Sequence, residues 1–197
     1  DFKLDSELNS LSVKIKNENY GTTLKENVPF VDKTEEYGLT GYKAIAMNAV
    51  DLNFDGYTDL VLVPNYYGRP IFLIFDPKTR RFMPWDHDPL PNDFESSFVV
   101  FADLNNDKIP DMLVGVLNQK SEMQKHPVRL YMGKVENKKI NFRLASHFVD
   151  LPPRPTSSIS VIDYNLDGYL DLFIGNWFDR KGNDYIPSAD YLIQNNQ

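Results

Sequence analysis

Along the chain, apolar residues come in short runs separated by Asp- and Asn-rich polar clusters, and no stretch of a dozen residues carries a helical period. The runs predict strands. Ala44–Val50, Phe98–Ala102 and Ser158–Ile162 are short and apolar or β-branched, while Leu60–Val63, Met112–Leu117 and Leu172–Trp177 are continuous apolar runs of strand length. A third strand is expected in each unit at Ile71–Phe75, Val128–Met132 and Tyr191–Gln194, and a fourth at Arg81–Trp85 and Lys139–Leu144. The last unit shows no fourth run, which predicts a unit that ends mid-blade. Val28–Asp32 reads as a further strand, suited to be the outer strand of a ring-closing blade, and Leu11–Lys16 alternates as a lead-in strand would. The breakers Pro89–Asp93 and Pro152–Pro155 fall between units, where connections belong.

The polar clusters ahead of the apolar runs repeat one pattern. Asp51-Leu52-Asn53-Phe54-Asp55-Gly56-Tyr57-Thr58-Asp59, Asp103-Leu104-Asn105-Asn106-Asp107-Lys108-Ile109-Pro110-Asp111 and Asp163-Tyr164-Asn165-Leu166-Asp167-Gly168-Tyr169-Leu170-Asp171 align without gaps as D-x-N-x-D-G-x-x-D. The copies start 52 and 60 residues apart. A repeat of about 50–60 residues holding four short strands describes one blade of a β-propeller. The expected fold is therefore all-β, with propeller blades of four strands and about three blades in the chain. Residues 1–27 form a lead-in strand and linker, and the blades run over about 28–90, 91–150 and 151–197, the last one incomplete.

Composition narrows the functional classes. Lys and Arg total 21 against 28 Asp and Glu, a net charge of −7, which disfavours nucleic acid or an anionic membrane as the main partner. No apolar run approaches the ~20 residues of a transmembrane helix. With no cysteine, a disulfide framework, a thiolate metal site and a cysteine nucleophile are all excluded. The chain opens at Asp1 rather than Met, as expected of a processed chain or of part of a longer one.

The repeat itself carries chemistry. Side-chain oxygens at positions 1, 3 and 5 of a tight turn can converge on one point: Asp51, Asn53 and Asp55; Asp103, Asn105 and Asp107; Asp163, Asn165 and Asp167. Glycine at position 6 allows the left-handed backbone that wraps such a loop. Position 7 offers its backbone carbonyl (Tyr57, Ile109, Tyr169), and position 9 a further carboxylate (Asp59, Asp111, Asp171). So many hard oxygen donors suit Ca²⁺ better than Mg²⁺ or Zn²⁺. An EF-hand is excluded because position 12, which needs a bidentate Glu, is Leu62, Val114 or Ile174 inside a β run. The alternative is that Asp, Asn and Gly simply make a turn, but three aligned copies argue for a shared purpose. Up to three ions are expected, the second loop being the weakest because Lys108 stands where the others have glycine and Pro110 precedes Asp111. The loops hold nine aspartates, and the remaining residues sum to +2, so the acidity is concentrated at the proposed cation sites.

The three loops and their flanks resemble FG-GAP/VCBS repeats, the calcium-loop blades of integrin α-subunit-type β-propellers, over about residues 28–197. Phe30-Val31-Asp32-Lys33-Thr34-Glu35-Glu36-Tyr37-Gly38-Leu39 is similar to the F-x-D-x-T-x-x-x-G-L element of secreted, cartilage-acidic-protein-like members, and Tyr191-Leu192-Ile193-Gln194-Asn195-Asn196 to their third-strand ending. The resemblance implies a seven-bladed propeller, exported to the periplasm, cell surface or extracellular space, with calcium in loops on one face. The chain departs from that pattern at Lys108 and Pro110, in the insert Gln119–Pro127 and in the number of blades.

No catalytic residue is expected. His87, in Trp85-Asp86-His87-Asp88, reads as an exposed loop residue, and His126 and His147 as surface residues without patterned partners. No nucleophile elbow, zincin motif or phosphate-binding glycine loop occurs. The expected function is a non-catalytic, calcium-stiffened module for protein or glycan binding, completed by further blades of its own chain or by an assembly partner. A structural component of a larger surface assembly, and part of an enzyme acting on polysaccharide or lipid, are the alternatives.

Overall fold

A computed structural model of the chain describes residues 30–66, 68–92, 94–117, 128–145, 149, 151–152 and 154–196. The chain divides into two units, residues 1–34 and 35–197. The lead-in Leu11–Lys16 and the histidines His126 and His147 lie outside the described residues.

Each D-x-N-x-D loop folds one strand back on the next, and this makes the sheets. Ala46–Val50 (β1), Asp59–Val63 (β2), Ile71–Asp76 (β3) and Arg81–Pro84 (β4) form an antiparallel sheet in sequence order. Phe98–Ala102 (β5), Asp111–Gly115 (β6), Val128–Glu136 (β7) and Lys139–Leu144 (β8) repeat it. Thr156–Ile162 (β9), Asp171–Asn176 (β10) and Tyr191–Ile193 (β13) build a three-stranded sheet in the order β13-β10-β9. These are propeller-type blade units, and the described residues contain no helix. The strands of these three sheets fall where the apolar runs predict them.

Period-2 alternation sends the two faces of each sheet to different neighbours. Val61, Val63 and Phe72 of the first sheet pack against Val99, Met112, Val114, Tyr131, Ile140 and Phe142 of the second. The second sheet's other face, with Leu113 and Val128, meets Ile159, Leu172 and Ile174 of the third. Most of these side chains are fully buried, each stabilising the fold by about 1.5–3 kcal/mol. Leu52 and Leu104, at position 2 of their loops, are buried in these same cores, so the loops are anchored from below.

The sheets share one polarity. Ser97, at the start of β5, donates to Tyr66 O just beyond β2, and Thr156 N, at the start of β9, donates to Val116 O just beyond β6. The β2–β3, β6–β7 and β10–β13 connections therefore occupy one end, and the three D-x-N-x-D loops the other.

Two expectations are corrected. Of the expected strand Val28–Asp32, Val28 and Pro29 lie outside the described residues, and Phe30–Asp32 form no strand, because no described backbone pairs with them. Asp32 instead accepts hydrogen bonds from Thr34 N (2.9 Å) and Oγ1 (2.6 Å), which turns the chain. Between β10 and β13 there is an unexpected hairpin, Phe178–Lys181 (β11) with Asp184–Pro187 (β12). Its two-residue turn is Gly182-Asn183, with Gly182 at φ 67, and Gly-Asn is a readable hairpin signal. The hairpin leaves Trp177, Phe178 and Tyr185 exposed as an aromatic group, with ring centroids 6.1 and 6.4 Å apart.

Candidate metal centres

The first four residues of each loop leave the preceding strand, and the fifth to seventh return through a nest of backbone N–H groups. In the first loop Asp51 Oδ1 accepts from Asp55 N (3.2 Å), and Oδ2 from Gly56 N (2.9 Å). Asn53 Oδ1 also accepts from Asp55 N (3.1 Å), and Asp55 Oδ1 from Tyr57 N (2.8 Å). Asn53 Nδ2 closes the ring on Asp55 Oδ2 at 2.9 Å. The same five bonds recur in the second loop at 2.8–3.0 Å. In the third loop they run from 2.7 to 3.2 Å. Positions 1, 3 and 5 are thus gathered round one turn in every copy.

The backbone cost of this turn is larger than the sequence reading allows. Position 6 is left-handed, as expected, with φ 84 at Gly56 and 88 at Gly168, and Lys108 adopts the same conformation at φ 70. Position 4 is left-handed too: Phe54, Asn106 and Leu166 all have φ 60. For a residue with a Cβ this costs roughly 1–2 kcal/mol, and asparagine tolerates it best. Since Leu166 is 86 % exposed, packing does not explain its conformation; the loop's own hydrogen bonds hold it.

Position 9 has a different environment from positions 1, 3 and 5. Asp59, Asp111 and Asp171 open β2, β6 and β10 and are completely buried. Each accepts a backbone N–H on both oxygens. One donor is position 2 of its own loop: Leu52 at 2.9 Å, Leu104 at 3.1 Å, Tyr164 at 3.2 Å. The other lies on or just after the third strand: Phe75 at 2.9 Å, Gly133 at 2.9 Å, Asn195 at 2.8 Å. These carboxylates brace each loop against its sheet. Burial raises Asp59 above the usual carboxylate range and pushes Asp111 up to about 6, with the neighbouring loop aspartates adding to the shift.

The departures in the second loop are accommodated locally. Pro110 sits over β7, and Gly133 there is the residue that lets it approach: a Cβ at Gly133 would lie 2.2 Å from Pro110 O. At the equivalent place the first sheet has Phe75, whose ring packs on Tyr57 at 5.6 Å, and the third has Asn195. Sequence reasoning passed over the roles of Phe54, Leu166, Gly133 and Asn195: neither Phe nor Leu announces a left-handed backbone, and what Gly133 and Asn195 meet depends on residues distant in sequence.

Among the described residues, no three Asp, Glu, His or Cys side chains are drawn together into a metal cluster. Each loop gathers two aspartates and one asparagine, an all-oxygen donor set of the kind Ca²⁺ takes, with the position 7 residues Tyr57, Ile109 and Tyr169 held next to it by their N–H groups. The donors fit the ion. His87 belongs to a connection, half-buried rather than exposed, with Nε2 2.9 Å from Ile140 O and its ring edge-on to Trp85 at 4.9 Å.

The FG-GAP-like repeat model matches residues 51–114, from position 1 of the first loop to the core of β6. This segment is similar to an FG-GAP-like repeat. No curated protein matches the chain. The FG-GAP-like match takes in the first two loops, and the third, outside it, makes the same five bonds and the same position 9 brace.

Proposed function

We propose that the protein is a calcium-stabilised, non-catalytic propeller-type module, exported from the cell, that presents one end of its sheets to a protein or glycan partner. The observation that carries this reading is the fivefold hydrogen-bond set repeated in three loops. Folding has already brought the oxygens of Asp51, Asn53 and Asp55, and of their counterparts, into one turn at the cost of left-handed residues. A cation there offsets the repulsion between position 1 and position 5 carboxylates and stiffens the turn. Sites of this kind, with few charges in an exposed loop, suit the calcium levels found outside cells.

At the other end, Tyr66, Trp177, Phe178 and Tyr185 are exposed aromatics, and Tyr and Trp favour protein and glycan contacts because a large apolar face is joined to a polar O–H or N–H. Thermal melting in chelator and in millimolar Ca²⁺ tests the calcium part: a ligand that binds only the folded chain raises the midpoint by mass action, and an unchanged midpoint refutes it. A second reading, a component of a larger surface assembly, is favoured by the third sheet's outer face, where Ile162, Phe173 and Leu192 are about half exposed. Sedimentation of wild type and Phe173→Ser separates the two, since only an assembly component loses mass on substitution.

A further inference from the structure

The three loops are alike in themselves but differ in how they touch one another. Asn106, at position 4 of the second loop, donates through Nδ2 to Gly168 O in the third at 3.2 Å. That carbonyl belongs to the Gly168–Tyr169 peptide, whose N–H is held by Asp167 Oδ1 at 2.9 Å. One peptide plane of the third loop is therefore gripped on one side by its own position 5 carboxylate and on the other by the second loop.

A second tie runs beneath the first. Asn195 Nδ2 donates to Leu104 O in the second loop at 2.8 Å and to Leu170 O in the third at 3.3 Å. Its backbone N–H meets Asp171 Oδ1, while Leu104 N–H meets Asp111 Oδ2. The two buried position 9 carboxylates are thus the ends of one hydrogen-bonded chain that passes through Leu104 and Asn195. Leu104, Asn105 and Asn195 also line a crevice of about 400 Å³ between the second and third sheets.

Neither tie can form between the first and second loops. Position 4 of the first loop is Phe54, which has no donor, and the residue of the second sheet equivalent to Asn195 is Gly133, which has no side chain. We propose that the second and third loops form one coupled unit, joined through Asn106 and Asn195, while the first loop acts alone. As far as it concerns ions, this rests on the calcium reading above: a cation in the third loop then pre-organises the second and compensates for Lys108. The mechanical coupling does not depend on any ion.

The experiment therefore has two arms. In chelator, hydrogen exchange is followed at the amides of Asp107, Lys108 and Ile109 and at those of Asp55, Gly56 and Tyr57, in wild type and in Asp167→Ala. Coupling predicts a severalfold loss of protection in the second loop and none in the first. In the double variant Asn106→Gly/Asn195→Ala, where glycine keeps the left-handed backbone, Asp167→Ala no longer reaches the second loop. In the second arm CaCl₂ is titrated calorimetrically into the same proteins. Asp167→Ala should weaken the second loop's site about five- to tenfold, at the lower end of allosteric couplings, and leave the first unchanged. Equal protection in the second loop with and without Asp167→Ala overturns the proposal, even if all loops bind calcium. Transmission in chelator with no calcium uptake upholds the coupling and refutes the calcium reading instead.

Discussion

Gly133→Ala probes how a loop is seated on its sheet. A methyl group at this position meets Pro110 O at 2.2 Å and Ile109 Cγ2 at 2.9 Å, so loop backbone rather than a flexible side chain must move. Overpacking of this kind costs about 1–3 kcal/mol. The movement also draws Gly133 N away from Asp111 Oδ1, a buried 2.9 Å bond to a carboxylate of a class worth about 1.5–3 kcal/mol. The sum is on the order of 2.5–6 kcal/mol, and at roughly 2–4 °C per kcal/mol for a domain of this size the midpoint falls by about 5–24 °C. Urea unfolding and calorimetry in chelator measure it without interference from ions. Pro110→Gly, by freeing the loop backbone, should recover part of the loss in the Gly133→Ala background. A variant within 0.5 kcal/mol of wild type would refute the close-approach account of this glycine.

Lys108→Gly should raise stability by up to about 1 kcal/mol, the left-handed cost relieved being partly offset by the freer unfolded chain; urea midpoints in chelator check it. A pH series in chelator tests the buried brace. Asp111 titrates at about 6 in the folded chain against 3.8 unfolded, so between these values the folded state holds more protons and stability falls as pH rises, then levels off above 6. Asp59 acts in the same direction, whereas Asp32 and Asp76, held low by bonds from Thr34 and Thr79, gain stability as pH rises through the acid range. Asp111→Asn should flatten the decline between about pH 4 and 6 in urea midpoints, and a decline as steep as in wild type would count against the brace.

Much of the fold is legible in the residues because its information is local. Apolar runs such as Leu60–Val63, of strand length and bounded by turn residues, suit a strand buried on both faces, and Asp-x-Asn-x-Asp-Gly suits a turn between two of them. The repeat also separates the loops from an EF-hand, since Leu62, Val114 and Ile174 lie within strands. What the residues conceal depends on neighbours distant in sequence. Asp59, Asp111 and Asp171 stand in a row of loop aspartates, and only folding shows that each is buried and also accepts an amide from another strand or its end. Phe54 and Leu166 carry no mark of a left-handed backbone, and Gly133 looks like a weak strand residue until Pro110 arrives above it. Phe30–Asp32 shows the converse: a β-like run makes no strand without a partner backbone.

Cation uptake by the three loops is the property on which the proposed function rests. Calorimetric titration of the chain with CaCl₂ tests it most directly, alongside a variant in which Asp55, Asp107 and Asp167 are all replaced by asparagine. Uptake approaching three ions per chain, one for each loop, is expected, and its loss in the variant. No heat of binding at millimolar Ca²⁺, or equal uptake by both proteins, would contradict it.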